Sequence, residues 1–470
     1  MKMLRGRFFR VAEGLFPQKH VTLHSEAASG ISTSIGHVID AGIRSMGRNR
    51  DYILEKFFEM SRWTEAVNRG IDKDLSQPML RRFCEPEARV LLYRMIRDGE
   101  YRIEPPHTAL IPKDTPGEFR TVYVNDPDDR VVLAVANYLF FDLTPDLVHP
   151  ACKSYLKGTG CGAAVREVAR YASAMPEGVI GWKSDLSKYF DSVDIMYIDA
   201  AFDRLEERFG HSALVDMVRA YYHDDRYVDG NGVEQRKYMS LRQGCAVSAW
   251  LADVILCHID ERLSRLDGKY IRYCDDMLFI GRDHERAMEI LLEELGKMRL
   301  SLNDGKTEDV RSDRWFSFLG YSVCGGLISL SPRRVARFRK IVDDMACSSK
   351  SAKQLTARLA SWLYVGTEWK SWATQVLPVI NSRRDIQLLN AYIMDSIRAA
   401  MTGRRRIGGL GYNAAGKEGC IMRGSGRHVA SNRRKTPRRI PGFRSLMCMR
   451  NALLCSKQLY MTLASACLMT

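Results

Sequence analysis

Two short apolar runs, Tyr270–Tyr273 and Met277–Gly281, flank Cys274-Asp275-Asp276, and this stretch constrains the fold of the 470-residue chain more than any other. Runs of this length around so few residues read as a β-hairpin. Its tip then carries adjacent carboxylates, which repel each other unless a cation or a basic group neutralises them. A second acidic segment, Asp185-Leu186-Ser187-Lys188-Tyr189-Phe190-Asp191, closes the apolar strand pattern Val179–Leu186. Brought in by a neighbouring strand, Asp185 completes a hard-oxygen site of the kind Mg²⁺ takes. Singly, each cluster has an ordinary explanation as a strand-end cap or a loop acid. Jointly, they are harder to dismiss.

The surrounding pattern is mixed. Asp51–Trp63 and Met79–Arg97 have helical apolar spacing, with Pro86 as a break or a start in the second. Tyr101–Val124 reads as extended chain with a turn at Asp114-Thr115-Pro116-Gly117, and Asp129–Phe141 returns to helix. After the 179–186 strand come helices over Tyr197–Phe209 and Ala213–Tyr222, then a hairpin turn at Asp229-Gly230-Asn231-Gly232. Val247–Leu263 reads as one long helix, with Val247, Leu251, Val254, Ile255 and Ile259 on one face. His284–Leu300 is helical, and Phe316–Leu330 reads as two strands broken at Gly325-Gly326. From Pro332 to about Thr402 the pattern is an all-helical bundle, with Val335, Phe338, Ile341, Leu355, Leu359, Trp362, Leu363 and Trp369 as its core.

Charge narrows the partners. The net charge is +15, and the segment Gly403–Arg450 holds thirteen Lys or Arg against the single acid Glu418. Such an excess favours a polyanion, since each neutralised phosphate releases counterions. Arg5, Arg7 and Arg10 add a basic N-terminus, read as a nucleic-acid contact in preference to a targeting presequence. The twelve cysteines form no CxxC pair and fit reduced thiols in a cytoplasmic protein. The longest apolar stretch, Val131–Phe141, is too short to span a bilayer, so no membrane partner is expected.

The ordered motifs together resemble the palm of reverse transcriptases, of the bacterial type related to group II intron enzymes. Asp185–Asp191 resembles the first palm motif, and Arg242-Gln243-Gly244-Cys245-Ala246-Val247-Ser248 the second. Tyr273-Cys274-Asp275-Asp276 matches the Tyr-x-Asp-Asp box. Leu302-Asn303-Asp304-Gly305-Lys306-Thr307 resembles the fourth motif, and Phe318-Leu319-Gly320-Tyr321 the primer grip. Upstream, Ile111-Pro112-Lys113 and Glu118-Phe119-Arg120 resemble the fingers hairpin, and Tyr155-Leu156-Lys157-Gly158 the stretch that precedes the palm.

The resemblance implies an α/β (α+β) right-hand polymerase. It has an N-terminal extension (1–50), fingers (51–178), a palm around an antiparallel sheet (179–331, with a helical insert at 197–263), a helical thumb (332–402) and a basic C-terminal extension (403–470). It implies two Mg²⁺ ions, or Mn²⁺ as substitute, bridged by Asp185 and Asp275, with the Leu186 carbonyl and Asp276 assisting. Lys113 and Arg120 would close over the triphosphate of a deoxynucleotide, with Phe190 under its sugar as a gate against a 2′-hydroxyl. Gln243 and Gly244 would lie against the nascent base pair, and Lys306 would protonate pyrophosphate. By their charge, Arg333, Arg334, Arg337 and Lys340 would track a duplex backbone or form a solvated helix face. Arg404, Arg405, Arg406, Arg433, Arg434, Lys435, Arg438 and Arg439 would bind RNA, a dedicated structured noncoding RNA that serves as template for the DNA product. The apolar end, Leu446–Met469, is left as a docking helix or an oligomer contact.

There are departures from the family pattern. Arg242 stands where many relatives place proline, and Ser248-Ala249 stands where Ser-Pro is frequent. No retron Val-Thr-Gly signature or Cys/His-rich endonuclease module is recognised, which fits resident enzymes of antiphage defence better than a mobile intron or a retron enzyme. An RNA-dependent RNA polymerase, a non-catalytic RNA-binding scaffold and protein-primed or untemplated DNA synthesis remain open alternatives.

Overall fold

The computed structural model describes residues 50–68, 83, 85–112, 117–156, 158–175, 178–365 and 371–402. The described residues divide into two compact units, one made of those up to Cys161 with Ile180–Val310, the other of Gly162–Val179 with those from Arg311 onward. The N-terminal extension before residue 50, Lys113, Lys157, Trp369 and the basic segment 403–470 lie outside the described residues.

The first unit opens with α1 (Tyr52–Phe57) and α2 (Met60–Asn68), where the sequence predicts one helix. The break has a cause in hydrogen bonding. The Lys56 and Phe57 carbonyls accept from Arg62 Nε at 3.1 Å and from the Trp63 indole at 2.7 Å, and the Phe58 carbonyl accepts from Arg89. A continuing helix would need those carbonyls for its own ladder. Helix α3 (Pro86–Arg97) starts at its proline, where the missing N–H is not required. Strands β1 (His107–Pro112) and β2 (Phe119–Val124) pair antiparallel, and α4 (Pro127–Leu143) follows. Helix α5 (Cys161–Ser173), not anticipated from the sequence, belongs mostly to the second unit.

Next come β3 (Ile180–Asp185), the single turn α6 (Tyr189–Ser192), α7 (Ile195–Phe209) and α8 (Ala213–His223). The hairpin β4 (Arg226–Val228) and β5 (Glu234–Arg236) is joined at the predicted turn. It extends the β1–β2 pair into a four-stranded sheet, order β2-β1-β4-β5. The predicted helix 247–263 is two: α9 (Ser248–Ile255) and α10 (Cys257–Ser264). Arg272 explains the break, because its guanidinium takes the Ala252 and Asp253 carbonyls. A continuous helix would give those carbonyls to the N–H groups four residues on. Strands β6 (Gly268–Tyr273) and β7 (Asp276–Gly281), helix α11 (His284–Lys297) and β8 (Glu308–Arg311) complete a second sheet, order β6-β7-β3-β8. Helices α4, α7 and α9 bury an aromatic core beside it, with the Trp250 ring 5.1 Å from Phe140 and 5.7 Å from Phe202.

In the second unit β9 (Phe316–Phe318), β10 (Tyr321–Cys324) and β11 (Leu327–Leu330) form an antiparallel meander of three strands, where two are predicted. The extra reversal is a two-residue turn in which Leu319 (φ +50°) and Gly320 (φ +78°) are both left-handed. That is the combination a tight hairpin needs. Helices α12 (Pro332–Cys347), α13 (Ala352–Ala360) and α14 (Arg383–Thr402) follow, with π-type turns at Ser361–Val365 and Trp372–Val376. Phe338, Leu355, Leu359 and Leu363 are buried as the spacing predicts, whereas Val335 and Ile341 are only half-buried.

Candidate active site

Register brings the acidic clusters together. Strands β3 and β7 pair antiparallel with Asp185 opposite Asp276, and directly opposed residues share a face of the sheet. Tyr273 lies opposite Asp276 in the β6–β7 pair, so Cys274 and Asp275 form the whole hairpin tip. Leu186 donates its N–H to the Asp275 carbonyl at 3.2 Å, which ties the end of β3 to that tip. On the other side the Asn303 N–H donates to the Asp185 carbonyl at 2.8 Å, and Lys306 Nζ donates to Asp185 Oδ2 at 2.7 Å.

The carboxylates are poorly solvated and under mutual repulsion. Burial, then the charges of Asp275 and Asp185, push Asp276 up to about 6. Burial and then Asp185 raise Asp275. Lys306 donates a hydrogen bond to Asp185, and Lys183 adds positive charge near Asp276. The donor set therefore fits a divalent cation: three carboxylates at the ends of adjoining strands, two of them raised by burial and by their neighbours' charge. Asp185, Asp275 and Asp276 would hold it, with Leu186 at the strand end between them.

Asp185 and Asp275 open onto a cleft of ≈ 890 Å³ that also includes Arg120, Phe190, Gln243 and Lys306. Asp276 lines an adjoining recess of ≈ 480 Å³ together with Asp275 and Gly244. Phe190, on α6, packs edge-on against the buried Tyr189 at 5.7 Å, and its carbonyl accepts from Leu241 N at 3.1 Å. Arg120 is exposed on β2 opposite Ile111. Gly244 has a role beyond the one its motif implied. With φ +115°, a Cβ built on it would lie 2.5 Å from the Tyr123 carbonyl oxygen, while Tyr123 N donates to the Gln243 carbonyl at 2.7 Å. Only glycine lets the loop before α9 lie this close to strand β2.

Arg242, which replaces proline, is 1% exposed and stacks on the Tyr221 ring, 4.0 Å from its centroid. It donates to the Asp224 and Tyr222 carbonyls, so at this position a buried cation–π contact braces the loop.

Phe318, Leu319, Gly320 and Tyr321 lie in the second unit, at the β9–β10 turn. Tyr321 is buried under Arg334, whose guanidinium lies 4.6 Å from the ring centroid, so Arg334 braces the helical unit. Arg404, Arg405, Arg406, Arg433, Arg434, Lys435, Arg438 and Arg439, like Lys113, fall outside the described residues.

Several cleft residues were not singled out from the sequence, among them Tyr123, Tyr227 and Lys237. Nor were Arg272, Asp253 and Asp260, all 0% exposed behind the acidic turn. A signal existed for these three. An arginine inside an apolar strand and two acids seven apart within a hydrophobic helical run each call for a buried partner.

An antiparallel sheet that carries a strand-end carboxylate opposite a two-carboxylate hairpin, flanked by a second hairpin over the same cleft, defines the palm and fingers of a right-hand polymerase. In agreement, residues 111–323 match the family model "Reverse transcriptase (RNA-dependent DNA polymerase)". The "Putative COX1/OXI3 intron 1 protein" of Saccharomyces cerevisiae is 23% identical over 167 residues, covering 35% of this chain. The chain spans about 19% of that relative's length. Among solved structures, apo telomerase from Candida tropicalis aligns at 13% identity and TM-score 0.39, covering 48% of this chain and 56% of its own. Telomerase from Candida albicans, solved with a fragment of telomeric RNA, aligns at 12% and TM-score 0.37, covering 66% of this chain and 60% of its own. Among the described residues no helix is long and apolar enough to cross a membrane.

Proposed function

We propose that this chain is an active reverse transcriptase that copies an RNA template into DNA. The observation that carries the reading is the register of β3 against β7, which sets Asp185 opposite Asp276 beside Asp275 in a cleft shared with Arg120, Phe190 and Gln243. Divalent ions bound there, Mg²⁺ or Mn²⁺, supply charge stabilisation at the attacking 3′-oxygen and the leaving pyrophosphate. The chain's own contribution is positioning and electrostatics, which dominate phosphoryl transfer. Arg120 binds the triphosphate, with Lys113 as its expected partner across the hairpin. Phe190 lies under the sugar and excludes a 2′-hydroxyl, which favours DNA over RNA synthesis. Lys306, hydrogen-bonded to Asp185, would be the proton donor to pyrophosphate. The division into fingers, palm, thumb and basic extension, with the β9–β10 turn as primer grip, belongs to the same reading.

The basic segment 403–450 supports an RNA partner, and a dedicated noncoding RNA used in antiphage defence is the setting we favour. A scaffold would have no reason to keep three mutually repelling carboxylates in a half-buried site. The test is deoxynucleotide incorporation by the purified full chain with its co-purifying RNA and Mg²⁺, beside Asp275→Ala/Asp276→Ala. Product that needs intact RNA and is lost in the variant is the expected result. Silence of the wild type on both its own RNA and a supplied primed template, or equal product from both proteins, would overturn the reading.

A further inference from the structure

Cys274, the first residue of the acidic tip, has φ +58°. A residue with a Cβ stays in that region only when its surroundings over-determine it. Here they do. The Cys274 N–H donates to Ser154 Oγ at 2.5 Å, its carbonyl accepts from Arg272 Nη1 at 3.1 Å, and its Sγ meets the Tyr155 hydroxyl at 3.3 Å. Residues 151–153 run beside β6 as an added edge, with Arg272 N donating to the Ala151 carbonyl at 3.0 Å and Lys153 N to the Arg272 carbonyl at 2.8 Å.

Arg272 is the centre of this support. A guanidinium has five N–H donors in a fixed fork, and each has a partner here. Nε and Nη2 grip Asp260 at 2.7 and 2.6 Å, Nη1 reaches the Cys274 and Ala252 carbonyls at 3.1 and 3.4 Å, and Nη2 also reaches the Asp253 carbonyl at 3.0 Å. The same group thus ends α9, starts α10 and fastens the acidic turn to both. We infer that Arg272, oriented by Asp260 and assisted by Ser154, is a positioning residue that sets the backbone of the Cys274–Asp275 turn for divalent-cation binding. This rests on reading Asp185, Asp275 and Asp276 as the cation's ligands. Lysine cannot replace it, because three donors on a flexible stem cannot hold Asp260 and three carbonyls together. Mutating groups that orient metal ligands from behind typically costs roughly 10–100-fold in metal affinity or activity.

The test measures Mn²⁺ binding to the full-length protein by electron paramagnetic resonance, with Asp275→Ala/Asp276→Ala as blank, and the Mg²⁺ dependence of DNA synthesis in parallel. Arg272→Lys is expected to weaken Mn²⁺ binding about tenfold and to raise the half-saturating Mg²⁺ concentration to match. Ser154→Ala removes the acceptor for the Cys274 N–H without touching a buried charge; it is expected to shift both in the same direction and decides the matter if Arg272→Lys fails to fold. A purely structural role would lower the melting temperature and leave Mn²⁺ affinity per folded molecule unchanged. Wild-type affinity in the folded variants, or no Mn²⁺ binding by the wild type above the blank, overturns the inference. Weakened Mn²⁺ binding in variants of a wild type that makes no DNA would uphold the positioning role and sink the polymerase reading instead.

Discussion

Gly244→Ala probes the junction between strand β2 and the loop before α9. The new Cβ would stand 2.5 Å from the Tyr123 carbonyl oxygen, so strand and loop must part by nearly 1 Å to reach the 3.4 Å of ordinary contact. Part of the cost is conformational, since alanine at φ +115° is strained by about 1–3 kcal/mol. Separation also stretches the 2.7 Å bond from Tyr123 N to the Gln243 carbonyl, worth about 0.5–1.5 kcal/mol net. The sum, about 1.5–4.5 kcal/mol, should lower the melting temperature by several degrees. Gln243 moves with the loop, and a displacement of about 1 Å in a positioned site costs up to about a hundredfold in rate. The assay pairs a thermal melt with kcat/KM for deoxynucleotide on a primed RNA template. Gly296→Ala is the control: it lies exposed on α11 with nothing within 4 Å of its Cβ, and alanine there should be neutral or stabilising. A Gly244→Ala protein with wild-type melting and wild-type kcat/KM would refute the close-approach argument.

Two further predictions test other parts of the cleft and core. Phe190→Ala should cut discrimination against ribonucleotides by about tenfold or more while DNA synthesis persists, measured as the ratio of kcat/KM for the two sugars; an unchanged ratio places the gate elsewhere. Asp129, on α4, accepts from the Tyr101 hydroxyl at 2.7 Å and from Glu104 N at 2.9 Å, yet burial pushes it up to about 7. A carboxyl whose folded pKa lies above its unfolded value near 3.8 favours the folded state at low pH, and that contribution is lost as pH rises from about 4 to about 7. Asp129→Asn should flatten the urea-denaturation midpoint across this window, and a slope equal to that of the wild type would refute the assignment.

Much of this site is legible in the sequence, for a local reason. Asp185 closes an apolar strand and Asp275-Asp276 occupy a hairpin too short to hide them, so strand patterning alone placed the carboxylates at strand ends. The turn at Asp229–Gly232 and the break at Gly325-Gly326 were likewise determined by residues adjacent in the chain. What the tertiary structure decided are the pairings between segments distant in sequence. It set the register of Asp185 with Asp276, the use of Gly244 against Tyr123, and the division of the 247–263 helix by an arginine from a later strand. Apolar periodicity records which face of an element is buried, and it carries no record of which backbone carbonyl a remote guanidinium will claim. That information exists only once the chain has folded, because a buried donor must find an acceptor wherever packing has placed one.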